Sequence, residues 1–158
     1  MGIIMLSREE AIDYVFNKHG EDAVYITNTG FLSRAIYYLY PENKNILYMQ
    51  GSMGLSPAIG LGMAKSTEKD VVVFVGDASL LMHLGITHTI RDENLSNLHV
   101  YVIDNGCHES VGGYYSAPLE KSYSGVSEII KTNRGDKKDR VALSCLNNIK
   151  QIKEFLIE

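Results

Sequence analysis

The chain of 158 residues, 45 % hydrophobic and 22 % charged, has the length and composition of one globular domain with its own core. A formal net charge of −4 without any basic block excludes an electrostatic footprint for nucleic acid or anionic membrane and leaves small-molecule chemistry as the expectation. Met1–Leu6 is too short and uncharged for a signal peptide, no run approaches a membrane span, and Cys107 and Cys145 fit neither a disulfide framework nor a metal-ligand spacing, so a cytoplasmic protein with free thiols is expected.

Ser7-Arg-Glu-Glu10 has the form of a capping box. Ala11, Ile12, Val15 and Phe16 follow at helical spacing and Gly20 stands at the stop, so a first helix is expected there. Five apolar runs come next: AVYIT (23–27), NILYM (45–49), DVVVFV (70–75), LHVYVI (98–103) and RVALSC (140–145). They lack polar alternation, which predicts strands buried on both faces. Helical segments are expected between them near 31–40, 56–65, 79–93, 125–132 and 147–157. Alternation of this kind predicts an α/β fold, doubly wound, with a mainly parallel sheet and helices on both faces. No repeat or linker divides residues 1–158, which read as a single domain. KTNRGDKKDR (131–140) reads as a polar, mobile, solvated turn.

In parallel sheets ligands bind beyond the carboxyl ends of the strands, so chemistry is sought after each run. NTGFLSR follows the first, and Asn28, Thr29 and Ser33 offer amide and hydroxyl groups to an oxyanion, although such turns also merely cap helices. QGSMGLSPAIGLGMA follows the second. Its glycines allow close packing with Pro57 starting a helix, but packing does not explain Met53 between Gly51 and Gly54. GDAS follows the third, where Asp77 is either a helix N-cap before Ser79 or a Mg²⁺ ligand beside a bound phosphate. DNGCHESVGG follows the fourth. Asn105 lies one helix-plus-strand crossover beyond Asp77, which brings both to one rim as hard oxygen donors suited to a diphosphate and its Mg²⁺.

GSMG, GDAS and DNG in this order resemble the pyrophosphate-binding domain of thiamine diphosphate enzymes over roughly Thr27 to Gly113. The family signature is GDG followed by an Asn pair; here the third Gly is Ala78 and the first Asn is Asp104. The resemblance implies that Asp77, the Asn105 side chain and the Cys107 carbonyl hold Mg²⁺. It further implies that Gly76 and the backbone around Ala78 and Ser79 meet the diphosphate, that Met53 props the bent thiamine diphosphate, that the Gly51 carbonyl accepts from its pyrimidine, and that Ser52 is a cofactor contact beside them. Asn28 and Thr29 complete the implied cofactor contacts.

LLMHLG, DNGCHESVGG and TGFLSR look more narrowly like phosphonopyruvate decarboxylase and its relative sulfopyruvate decarboxylase. This implies decarboxylation of 3-phosphonopyruvate to phosphonoacetaldehyde and CO₂, with His108 as a proton relay and Ser33, Arg34 and His83 toward the anionic tail. The alternatives are a sulfopyruvate decarboxylase beta subunit, a non-catalytic thiamine diphosphate module that regulates a partner, and an unrelated phosphate-binding domain. The resemblance implies that the Glu that activates the cofactor comes from a second, pyrimidine-binding domain, for which 158 residues are expected to leave no room. A separate alpha subunit carrying that Glu is therefore expected. His19, His88 and His99 read as surface or packing residues.

Overall fold

The alternating elements assemble into one five-stranded sheet, seen in a computed structural model that describes residues 5–157. The reading of Met1–Leu6 falls mostly on residues 1–4, which lie outside the described residues. Helix α1 (Arg8–His19) starts at Ser7, whose hydroxyl accepts from the Glu10 amide at 3.1 Å while the Glu10 carboxylate accepts from the Ser7 amide at 2.7 Å. It ends at Gly20, where φ is +74°. The capping box is thus formed from both sides.

Strands β1 (Val24–Thr27), β2 (Ile46–Tyr48), β3 (Val71–Gly76) and β4 (Leu98–Asp104) coincide with the first four apolar runs. Between them lie α2 (Phe31–Leu39), α3 (Ser56–Ala64), α4 (Asp77–Met82) and α5 (Ile86–Glu93). A short antiparallel pair, β5 (Cys107–His108) and β6 (Tyr114–Tyr115), follows β4, and β7 (Glu128–Lys131) and α6 (Cys145–Ile157) complete the chain. The sheet order is β2-β1-β3-β4-β7, parallel throughout.

Side chains alternate across the sheet as strand geometry requires. Tyr25, Val72, Phe74, Tyr101 and Ile103 face α1 and α2, with the Phe16 ring stacked at 4.0 Å on Tyr25 and 3.9 Å on Tyr40. Val24, Ile26, Val71, Val73, Val75 and Val102 face the opposite layer, which contains Leu61, Ile90 and Ile152. The central strands are therefore apolar over most of their length.

Four expectations are corrected. The segment read as a helix over 125–132 contains β7, because the open edge of β4 offers a ladder that a short EIIK segment can join. RVALSC (140–145) forms no strand; Val141 and Leu143 pack against the core without pairing. The helix read over 79–93 is two, broken at His83–Gly85, and its first part starts at Asp77 rather than Ser79. Lastly, the backbone of the 131–140 segment is pinned rather than free: the Gly135 amide donates to Glu109 at 3.0 Å and the Asp136 carbonyl accepts from Arg8 at 2.6 Å.

The opposite edge strand, β2, is covered in an unusual way. Asn148 of α6 accepts from the Tyr48 amide at 2.8 Å and donates to the Ile46 carbonyl at 2.7 Å, mimicking a neighbouring strand with one carboxamide. A buried sheet edge is satisfied without a sixth strand.

Candidate cofactor site at the strand ends

The strand order reverses between β1 and β3, since β2 lies on the far side of β1. Connections leaving those two strands diverge to opposite faces and open a crevice, the usual ligand position in an open α/β sheet. Asn28 leaves β1 and Asp77 leaves β3 at that point. The Asn28 amide nitrogen donates to the Ser79 hydroxyl at 2.7 Å and ties the two chain exits together, while its Oδ1 is buried with no partner. One polar atom is left to meet a ligand.

The crevice is lined by Asn28, Thr29, Met53, Gly76, Asp77, Ala78, Ser79, Asn105, Cys107 and His108, so the three loop motifs do converge in space. Asp77 is the first residue of α4 and not its cap; Gly76 holds that position without a side-chain bond. Asp77 is 2 % exposed and accepts from the Ser116 hydroxyl. Among the described residues no ion pair involves it. Burial drives its carboxyl above the usual range and the Asp104 charge adds to this, against the lowering hydrogen bonds from Ser116 and the backbone. A buried carboxylate without a counter-charge is what a cation would stabilise most. This donor set, Asp77 with the orphaned Asn28 acceptor oxygen, fits a divalent metal, which in turn would draw a polyanionic ligand to the crevice.

Asn105 opens a turn in which its Oδ1 accepts from the Cys107 amide at 3.1 Å and its Nδ2 donates to Glu109 at 3.0 Å. The amide orientation is thereby set, with the oxygen toward Cys107. Cys107 is buried, which pushes its thiol upward. Its partner strand brings Ser116 next to Asp77, so the β5–β6 pair serves the site from above.

The loop that carries Met53 rests on α4. Gly54 has φ of +91°, and a Cβ there would lie 2.8 Å from the Ser79 carbonyl oxygen, so only glycine permits the approach. Ser52 holds φ of +61°, a left-handed conformation uncommon for a residue with a side chain. Gly51 and Ser52 are exposed beside the crevice and do not line it.

The tail-binding candidates are not in the crevice. Ser33 is buried and bonded to Thr27 at 3.0 Å, and Arg34 lines a second cleft with Gln50 and Arg140. His83 is exposed at the end of α4. The expectation also passed over Arg8, Glu109, Ser110 and Phe31, which the crevice includes. Arg8 is 2 % exposed, and its guanidinium donates to Glu109 at 3.1 Å. A signal was present: Arg8 lies on the same helical face as Ala11, Ile12 and Val15, and an arginine on a buried stripe requires a partner.

These features define a doubly wound domain with a polar crevice at its switch point and a buried carboxylate in its lining. Residues 27–145 match the family model described as thiamine pyrophosphate enzyme, C-terminal TPP binding domain, and the chain belongs to that family. Within it, the chain is 41 % identical over 109 residues to sulfopyruvate decarboxylase subunit beta of Methanothermobacter thermautotrophicus, covering 69 % of this chain and 58 % of that one. The Methanocaldococcus jannaschii protein of the same name is 39 % identical over 105 residues, covering 66 % and 55 %. Phosphonopyruvate decarboxylase of Streptomyces viridochromogenes is 38 % identical over 107 residues, 68 % of this chain but 27 % of its own length. The chain thus spans little more than half of its beta-subunit relatives. The fold is also that of an X-ray structure of a thiamin diphosphate-dependent enzyme from Mycobacterium smegmatis, with a TM-score of 0.59 at 14 % identity over 82 % of this chain and 32 % of that one. No described helix is long and apolar enough to cross a membrane.

Proposed function

We propose that residues 1–158 act as the pyrophosphate-binding half of a thiamine diphosphate- and Mg²⁺-dependent 2-oxo acid decarboxylase whose substrate has a short anionic tail. The observation that carries this is the buried, unpaired Asp77 at the switch point, facing the same crevice as Asn28, Ser79 and Asn105. Asp77, the Asn105 carboxamide and the Cys107 carbonyl would hold Mg²⁺. Backbone from Gly76 to Ser79 would meet the diphosphate, and Met53 would support the cofactor's central portion. The bound cofactor supplies the electron sink that lets the substrate carboxylate leave as CO₂. His108 lines the crevice, where its imidazole, able to carry a proton on either ring nitrogen, would hold or deliver one.

The activating Glu would come from a partner subunit. Exposed Tyr114, Tyr115 and Val111, in or next to the β5–β6 pair that carries His108, offer an apolar surface for it, at 75 %, 89 % and 60 % exposure. Two substrates remain in competition. The residues around His83 and His108 suggest 3-phosphonopyruvate; the two beta-subunit relatives, of which this chain covers the larger share, favour 3-sulfopyruvate.

The test is CO₂ release from each acid by the chain with and without an alpha subunit that bears the pyrimidine-domain Glu. Turnover only with the partner is expected, and full activity of the isolated chain would refute the divided site. Asp77→Ala should abolish Mg²⁺-dependent thiamine diphosphate binding in calorimetry on the assembled pair; unchanged binding would refute the ligand assignment.

A further inference from the structure

The amino-terminal end of the sheet, opposite the crevice, carries another group of ligating side chains. His19 ends α1, Asp70 immediately precedes β3, and His99 is the second residue of β4. At about 3.3 Å per residue along β3, the group lies roughly 20 Å from Asp77. One ligand atom from each of the three residues lies within 4.8 Å of the other two. His99 Nε2 is 3.3 Å from one Asp70 oxygen, and His19 Nδ1 is 3.9 Å from the other.

The orientation of both rings favours a shared guest over a simple ion pair. His19 Nε2 is engaged by the Tyr101 hydroxyl at 2.8 Å, which leaves Nδ1 as the nitrogen turned to Asp70. Tyr101 is buried in the core, so it holds the ring as a group behind a metal ligand does. His99 Nε2 is buried and makes no hydrogen bond despite its closeness to Asp70. The two imidazoles lie 4.5 Å apart, centroid to centroid, so a proton on each would place like charges side by side. One carboxylate cannot satisfy both rings as well as a cation bound to all three groups.

We propose that His19 Nδ1, Asp70 and His99 Nε2 form a site for a divalent transition metal of the zinc class. Two imidazoles and a carboxylate are a common zinc donor set, and tetrahedral coordination with bonds near 2.0–2.1 Å places neighbouring donors about 3.4 Å apart. The His99–Asp70 spacing already meets this, and the half-exposed Asp70 side chain has room to close on His19. Asp22 and Glu68 line a cleft with His19 and Asp70, where a fourth ligand would come from one of them or from water; Lys69, 3.7 Å from Asp22, shares that cleft. The metal would clamp the end of α1 to the starts of β3 and β4. The proposal is independent of the crevice and its cofactor.

The test is calorimetric titration of the full chain with ZnCl₂, without thiamine diphosphate, alongside melting curves. One equivalent should bind and raise the melting temperature, and Mg²⁺ should not compete. Asp70→Asn and His99→Asn should each weaken Zn²⁺ by at least about 100-fold, and Tyr101→Phe, which keeps the core ring, by about 10-fold. Asp70 carries its side chain toward solvent and bonds Val24 through its backbone carbonyl, so Asp70→Asn decides the matter even where His99→Asn does not fold. Absence of a bound equivalent, or Zn²⁺ affinity in Asp70→Asn equal to that of the unaltered chain, overturns the proposal.

Discussion

Replacing Glu109 by Ala tests whether the crevice is held open by a buried ion pair that joins distant parts of the chain. Glu109 accepts from Arg8 at 3.1 Å, from the Asn105 carboxamide at 3.0 Å and from the Gly135 amide at 3.0 Å. Without it, the Arg8 guanidinium, 3 % exposed, keeps only the Asp136 carbonyl and a 3.3 Å contact to Glu9, and its Nε already lacks a partner. Removing one member of a buried pair costs about 3–5 kcal/mol, and the lower part of that range, about 3–4 kcal/mol, applies here because the part-exposed Glu9 carboxylate at 3.3 Å leaves the charge only partly stranded. At a slope of about 2 kcal/mol per molar urea, the unfolding midpoint should fall by about 2 M. The double variant Arg8→Met with Glu109→Leu should regain much of that loss, since apolar replacement of the whole pair removes the stranded charge. Glu109 also aims Asn105, so Glu109→Gln should weaken Mg²⁺-dependent cofactor binding by about 10- to 100-fold while sparing much of the stability. A midpoint shift below about 0.5 M for Glu109→Ala, or a double variant no more stable than Glu109→Ala, would refute the pair as the organising contact.

Three other perturbations probe the frame. Asn148→Ala strips the β2 edge of two buried partners and should cost about 2–4 kcal/mol, read as a melting temperature lower by roughly 5–15 °C; a drop under about 2 °C would show that water replaces the carboxamide. Gly54→Ala adds a Cβ 2.8 Å from the Ser79 carbonyl oxygen at positive φ, so it should displace Met53 and lower both stability, by more than about 1–2 kcal/mol, and cofactor affinity; unchanged calorimetry and melting would contradict the close approach. Finally, hydrogen bonds from Ser7 hold the Glu10 carboxyl below its ordinary 4.5, so its contribution is present above pH 4.5 and fades as pH falls through the lower folded-state value. The stability gap between the unaltered chain and Glu10→Gln should shrink on acidification in that window, and a gap that widens there would reverse the sign.

The central strands were legible because burial on both faces makes them apolar over most of their length, which leaves little room for another reading. The edge was not. Glu128–Lys131 is half polar and short, and only the vacant side of β4 makes it a strand. RVALSC has the composition of a strand, yet both sheet edges are already occupied, by β7 and by Asn148. Asn28, Asp77 and Asn105 could be found because each directly follows a strand. Arg8 and Glu109 are 101 positions apart, and no local pattern announces such a pair beyond an arginine on a buried face.

The departures from the family signature also take on a physical sense. Where the pattern has Asn, this chain has Asp104, 3 % exposed and a source of repulsion on Asp77. Two buried carboxylates on adjacent strand ends would compete for one cation. Lys131, its register partner on β7, pairs with Asp104, and the Gly106 amide donates to its other oxygen at 3.0 Å. Asp104 is thereby neutralised within the sheet, whereas Asp77 keeps only the Ser116 hydroxyl and its own backbone neighbours. The edge strand that sequence periodicity misread thus carries the lysine that makes the altered signature workable. With Glu109 paired to Arg8, Asp77 is then the carboxylate of the crevice that has no cationic partner among the described residues, the property the proposed metal site requires.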